Sequence, residues 1–167
     1  MKQQVRKSIF ETNSSSTHAI VIGNNGQDIY KELPEKLEFH GGEFGWEHET
    51  YYDTQSKANY LYTSIVWCGS KIDIDDAIDK IRKILAKWNI EAEFEELNEN
   101  GEFYGWSYID HGYKNKDLVK ELITNEELLM NYLFSENSSV ETGNDNDNTE
   151  FTAEKPKNIL FDYYKGN

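Results

Sequence analysis

The clearest pattern along the chain is helical. Ala58, Leu61, Tyr62 and Ile65 recur at i, i+3, i+4 and i+7 and predict an amphipathic helix over about 53–68, with Gly69 as a stop residue. A second stripe, Ile74, Ala77, Ile78, Ile81, Leu85 and Trp88, predicts a helix over about 73–88. Asp73, Asp75 and Asp76 stand at its start, and Lys80, Arg82, Lys83 and Lys87 lie towards its end. The helix dipole favours that distribution, which accounts for these charges without a functional role. Leu118, Val119, Leu122, Leu129, Tyr132 and Leu133 mark a third helical region over about 115–134, in which Asn125 is a candidate cap for a restart.

Elsewhere the period is two or absent. His18-Ala19-Ile20-Val21-Ile22 reads as a buried strand, preceded by a strand over 5–10 and followed by a turn at Gly23-Asn24-Asn25-Gly26. Leu37 and Phe39 flank Glu38 in a short strand that Gly41-Gly42 ends. Ile90, Ala92 and Phe94 alternate with Glu91, Glu93 and Glu95 up to Asn100-Gly101, a strong hairpin signal. The expected return strand, about 102–109, carries Phe103 and sets Tyr104, Trp106 and Tyr108 on one side. Residues 135–150 have few apolar side chains and predict a mobile acidic loop. Ile159, Leu160, Phe161 and Tyr163 suggest a last strand returning to the sheet. Strands at both ends with helices between them imply a single α+β domain: an antiparallel or mixed sheet, about three helices and an acidic hairpin.

Composition sharpens this outline. The 167 residues carry 31 acids against 17 bases, a net charge of −14, and 4 Trp, 11 Tyr and 8 Phe supply material for a core. No apolar run approaches the roughly 20 residues that span a bilayer, and the polar start at Met1–Ser8 has no secretory hydrophobic stretch. A cytoplasmic protein without membrane contact is the expectation. Cys68 is the only cysteine, so an internal disulfide and a cysteine-based zinc cage are excluded. The acids concentrate in 28–53, 89–110 and 136–150, whereas 1–18 is locally basic. Direct nucleic-acid binding needs clustered Lys and Arg and is disfavoured.

The most unusual segment is Phe10-Glu11-Thr12-Asn13-Ser14-Ser15-Ser16-Thr17-His18. Its plain reading is a polar turn into a strand. Alternatively Asn13, Ser14, Ser15, Ser16, Thr17 and His18 form an anion-binding nest with Arg6, taking a phosphate or a nucleotide signal, or His18 acts as a base in its hydrolysis. The string from Arg6 to His18 resembles the opening of small, mostly uncharacterised proteins of bacteriophages and prophages. That resemblance covers about 15 residues; it implies a mobile-element origin and an accessory role and carries no activity onto these positions.

Other constellations are weaker. His40 and His48 among Glu43, Glu47 and Glu49 match no metal-ligand spacing and read as a solvated loop. Asp145-Asn146-Asp147-Asn148 lacks the glycine and glutamate of a calcium loop. Neither a metal nor another cofactor is expected, and no catalytic residue is assigned. Glu91, Glu93 and Glu95 would project from one strand face about 7 Å apart, near the spacing of phosphates along one DNA strand. With Glu99 and Glu102, and with Tyr104, Trp106 and Tyr108 as anchors, they form a candidate surface for a basic protein. The leading expectation is a non-enzymatic phage accessory protein that inhibits a bacterial defence protein, such as a CRISPR effector, by occluding its basic surface.

Overall fold

The computed structural model describes residues 16–68, 72–110, 116–144 and 158–165. Strand β1 (Ser16–Gly23) runs through the middle of a four-stranded sheet, with Ile20 and Ile22 fully buried. A 3-10 turn (Gly26–Tyr30) leads to the short strands β2 (Lys36–Phe39), β3 (Glu43–Phe44) and β4 (Glu49–Tyr51). Helices α1 (Thr54–Trp67) and α2 (Ile74–Ala86) follow, and then strands β5 (Glu91–Phe94) and β6 (Tyr108–Ile109). Helices α3 (Lys116–Thr124) and α4 (Glu126–Phe134) precede β7 (Ser139–Asn144) and β8 (Ile159–Lys165). The α+β class holds. Among the described residues no helix is long and apolar enough to cross a membrane.

Helices α1, α2 and α4 start where side chains satisfy their orphan amides. Asp53 accepts from the Ser56 amide, Asp73 from the Asp76 amide and Asn125 from the Leu128 amide. The last of these splits the third helical region into α3 and α4, so there are four helices among the described residues rather than about three. The main sheet has the order β4-β7-β1-β8, antiparallel throughout. β8 is the expected returning strand and pairs with β1 over Ile159–Lys165. The expected strand over 5–10 lies outside the described residues. α1 and α4 pack together, α4 also covers β1, and Tyr60, Leu61, Ile65, Leu129 and Tyr132 form the centre of the core.

Two expectations are corrected. The acidic hairpin is not a paired hairpin. Asn100-Gly101 does reverse the chain, with Gly101 at φ +75°, but a single bridge between Leu97 and Phe103 closes the turn. The two arms pair elsewhere, β5 in parallel with β2 and β6 in parallel with β3. The reason is burial: Phe94 stacks on Phe39 with ring centroids 4.4 Å apart and meets Tyr62 edge-on, contacts that a hairpin partner would not supply.

The expected mobile loop is the second correction. Residues 135–138 turn out of α4 and Ser139–Asn144 enters the sheet, where β7 is bonded on both sides by β4 and β1; residues 145–150 lie outside the described residues. Sheet bonds satisfy the β7 backbone, and several buried polar side chains around it have internal partners. The Ser138 hydroxyl donates to the Asn131 carbonyl and accepts from the Gly23 amide. The buried Lys57 ammonium donates to the carbonyls of Ser135 (2.9 Å) and Ser138 (3.3 Å). His48 meets the buried Glu141 carboxylate at 2.9 Å.

Candidate functional site

β5 sets out the acidic row that the sequence predicts, but only in part. Glu91 and Glu93 are exposed, whereas Ala92 and Phe94 turn inward. Across the parallel pairing Lys36 bridges Glu93 at 2.7 Å and Glu38 at 2.9 Å. Those two carboxylates hold the Lys36 ammonium above its usual range, and Lys36 together with His40 holds the Glu38 carboxyl below its own. Glu95 faces the interior side of the next loop: its carboxylate accepts from the Gly41 amide at 2.8 Å and faces His40 at 3.8 Å. The row of three is therefore one open glutamate, one bridged and one with a structural role.

The aromatic trio separates as well. Tyr104 and Trp106 lie in the loop before β6 and are 75% and 88% exposed. Tyr108 is half-buried in β6, edge-on to Trp67. The Trp67 indole donates to the Ser107 carbonyl at 2.7 Å, which ties the end of α1 to this loop. Gly41 permits the approach, since a Cβ there would lie 2.3 Å from the Ser107 hydroxyl.

A groove of about 1090 Å³ lies between α2 and the segment 94–107. Asp73, Asp75 and Asp79 line one wall, and Glu95, Glu96, Glu99 and Glu102 line the other. Val66, Ile72, Ile74, Ile78, Leu97 and Phe103 supply its apolar lining, with Trp67 at the rim. Among the described residues Asp75, Asp79, Glu96, Glu99 and Glu102 enter no ion pair. These exposed carboxylates stand beside apolar surface, an arrangement that suits a partner carrying cations and apolar side chains together. No three His, Cys, Asp or Glu side chains among the described residues converge to hold a metal ion.

The serine segment fares differently. Arg6, Asn13, Ser14 and Ser15 lie outside the described residues. Ser16 and Thr17 open β1, where they face Asn144 and Gly143 of β7. His18 is fully buried. Its Nε2 donates to the Asp110 carbonyl at 2.9 Å, which leaves Nδ1 to accept from the Tyr60 hydroxyl at 3.2 Å in the neutral ring. Gly45, at φ +102°, closes over this ring; a Cβ there would lie 3.0 Å from His18 Cε1. With both nitrogens engaged and no solvent at the ring, the geometry is that of a structural histidine joining β1, α1 and the end of β6. His40 lies between two carboxylates, Glu38 at 3.2 Å and Glu95 at 3.8 Å, and His48 meets Glu141 at 2.9 Å.

Sequence reasoning missed one wall of the groove. Asp75, Ile78, Asp79 and Arg82 fall at i, i+3, i+4 and i+7, a second stripe along α2 beside the one that enters the core. Its aspartates look like ordinary dipole partners until the fold sets the 95–102 glutamates opposite them. Compared with known protein families, curated proteins and solved structures, the chain matches none.

Proposed function

We propose that the protein is a phage accessory protein that binds and inhibits a bacterial defence protein by covering a basic surface of the partner. The observation that carries this reading is the groove between α2 and residues 94–107, whose Asp75, Asp79, Glu96, Glu99 and Glu102 enter no ion pair among the described residues. Exposed Tyr104 and Trp106 beside it supply the aromatic anchors that protein interfaces favour. The net charge of −14 adds long-range steering towards a cationic target. The phage-like segment at Arg6–His18 supports the accessory and anti-defence part of the reading, and a CRISPR effector or another nucleic-acid-handling complex is the target class. The docking centre lies in the groove rather than along the Glu91–Glu95 row.

The test is capture from bacterial lysate with the parent protein and an Asp75→Asn/Asp79→Asn/Glu99→Gln/Glu102→Gln variant, followed by assay of the captured complex. The expected result is a basic nucleic-acid-binding protein that the parent retains and inhibits. It is released as salt shortens the screening length to about 8–10 Å, and the variant does not retain it. Retention that neither salt nor the variant changes would overturn the reading.

A further inference from the structure

Among the described residues Arg82 is the one basic residue in the groove lining, beside seven carboxylates. Its guanidinium carbon lies 5.2 Å from the centroid of the Phe94 ring. Phe39 stacks on Phe94 with an interplanar angle of 11°, so Phe94 is an aromatic shelf supported from the core. Among the described residues Arg82 forms no ion pair, although acids line both walls around it.

We propose that the groove recognises an arginine-bearing amphipathic segment of its partner, one guanidinium of which takes the Phe94 shelf where Arg82 now lies. This inference rests on the reading of the groove as the docking surface and names the chemistry of its occupant. A guanidinium is planar and weakly hydrated. It lies flat on an aromatic ring while its edge N–H groups reach carboxylates in pairs. A lysine ammonium is compact and strongly hydrated, and gains less from a ring bordered by acids. The groove is far larger than one side chain, and Ile74, Ile78 and Leu97 offer apolar contacts to the neighbours of that arginine. Arg82 is thus a resident competitor: it covers the shelf and offsets one negative charge.

The experiment titrates the protein, by tryptophan fluorescence and calorimetry, with a synthetic amphipathic peptide of leucines and arginines. The comparison peptide has every arginine changed to lysine, at equal charge. The arginine peptide is expected to bind about tenfold more tightly, the scale of a desolvated cation–aromatic contact. Arg82→Ala is expected to tighten the arginine peptide several-fold and the lysine peptide less; Arg82→Gln, which keeps most of the side-chain packing, should do the same. Equal affinity for the two peptides would overturn the inference and leave the acidic docking surface standing. Weaker arginine-peptide binding in both Arg82 variants, or no binding of either peptide, would also overturn it. The docking reading falls separately, if the groove-neutralised variant still captures its partner.

Discussion

Around β7, Lys57, Ser138 and Glu141 are buried, and each meets a group from another part of the chain. Around the groove, Asp75, Asp79, Glu99 and Glu102 are exposed, and among the described residues they meet no cation. Both regions are polar in sequence, and their physics is opposite. In the seam around β7 an unmade hydrogen bond would leave a desolvated group, so every partner is part of the fold's stability. In the groove the carboxylates are exposed to solvent, so their loss is expected to cost the fold little and to change mainly the field around the groove. Polar composition marks neither a loop nor a site; what matters is whether a polar group is answered from within.

The strongest way to break this contrast is to remove the seam. Deletion of Ser139–Asn144 takes away the strand between β4 and β1 and is expected to abolish cooperative unfolding in urea. A deletion protein with a normal sharp transition would show that the segment is a dispensable loop.

Lys57 comes next. Its replacement by alanine leaves a cavity and removes the donor to two buried carbonyls, an expected loss of about 2–4 kcal/mol in chemical denaturation. Burial also lowers the Lys57 ammonium to about 8 against the ordinary 10.5, with Asp53 acting weakly the other way. Between those values the unfolded chain holds a proton that the folded chain has released. The contribution of this group therefore rises as pH increases from 8 and falls away as pH drops through 8, by up to about 3 kcal/mol over the whole interval. The raised hydroxyls of Tyr62 and Tyr132 act in the opposite sense once pH passes 10, where unfolded tyrosines ionise. Urea melts between pH 7.5 and 9.5 should thus show the parent gaining stability relative to Lys57→Met. Parallel curves would indicate a lysine that stays charged in the fold.

The groove should respond in the reverse manner. Asp75→Asn/Asp79→Asn is expected to leave stability within about 0.5 kcal/mol of the parent, or to raise it slightly by relieving like-charge repulsion. Partner capture should weaken. A loss of several kcal/mol on melting would mean that these carboxylates belong to the fold after all. Smallest of all is Trp106→Ala: at 88% exposure the indole contributes little to folding, and its melting temperature should match the parent's. Reduced affinity for the partner would identify it as an anchor, and unchanged affinity would remove it from the interface.

Much of the fold was written in local sequence. The stripe Ala58-Leu61-Tyr62-Ile65 needs no partner to declare a helical face, and Asp53, Asp73 and Asn125 act on amides three residues away. The strands at His18–Ile22 and Ile159–Tyr163 were legible from their runs of branched and aromatic residues. Tertiary structure decided the rest, because the deciding energies act between residues far apart in the chain. Asn100-Gly101 fixes a reversal, but whether Phe94 faces a hairpin partner or the Phe39 ring depends on β2, more than fifty residues earlier. Ser138 and Glu141 read as solvent-seeking until Asn131 and His48 supply hydrogen bonds that make their burial tolerable. Likewise the sequence by itself determined that the protein is strongly acidic and where its acids cluster. Only the fold decided that Glu95 bonds the Gly41 amide, that Lys36 answers Glu93, and that the aspartates of α2 stand across a groove from Glu99 and Glu102, since charge acts through space and local sequence carries no record of what faces what.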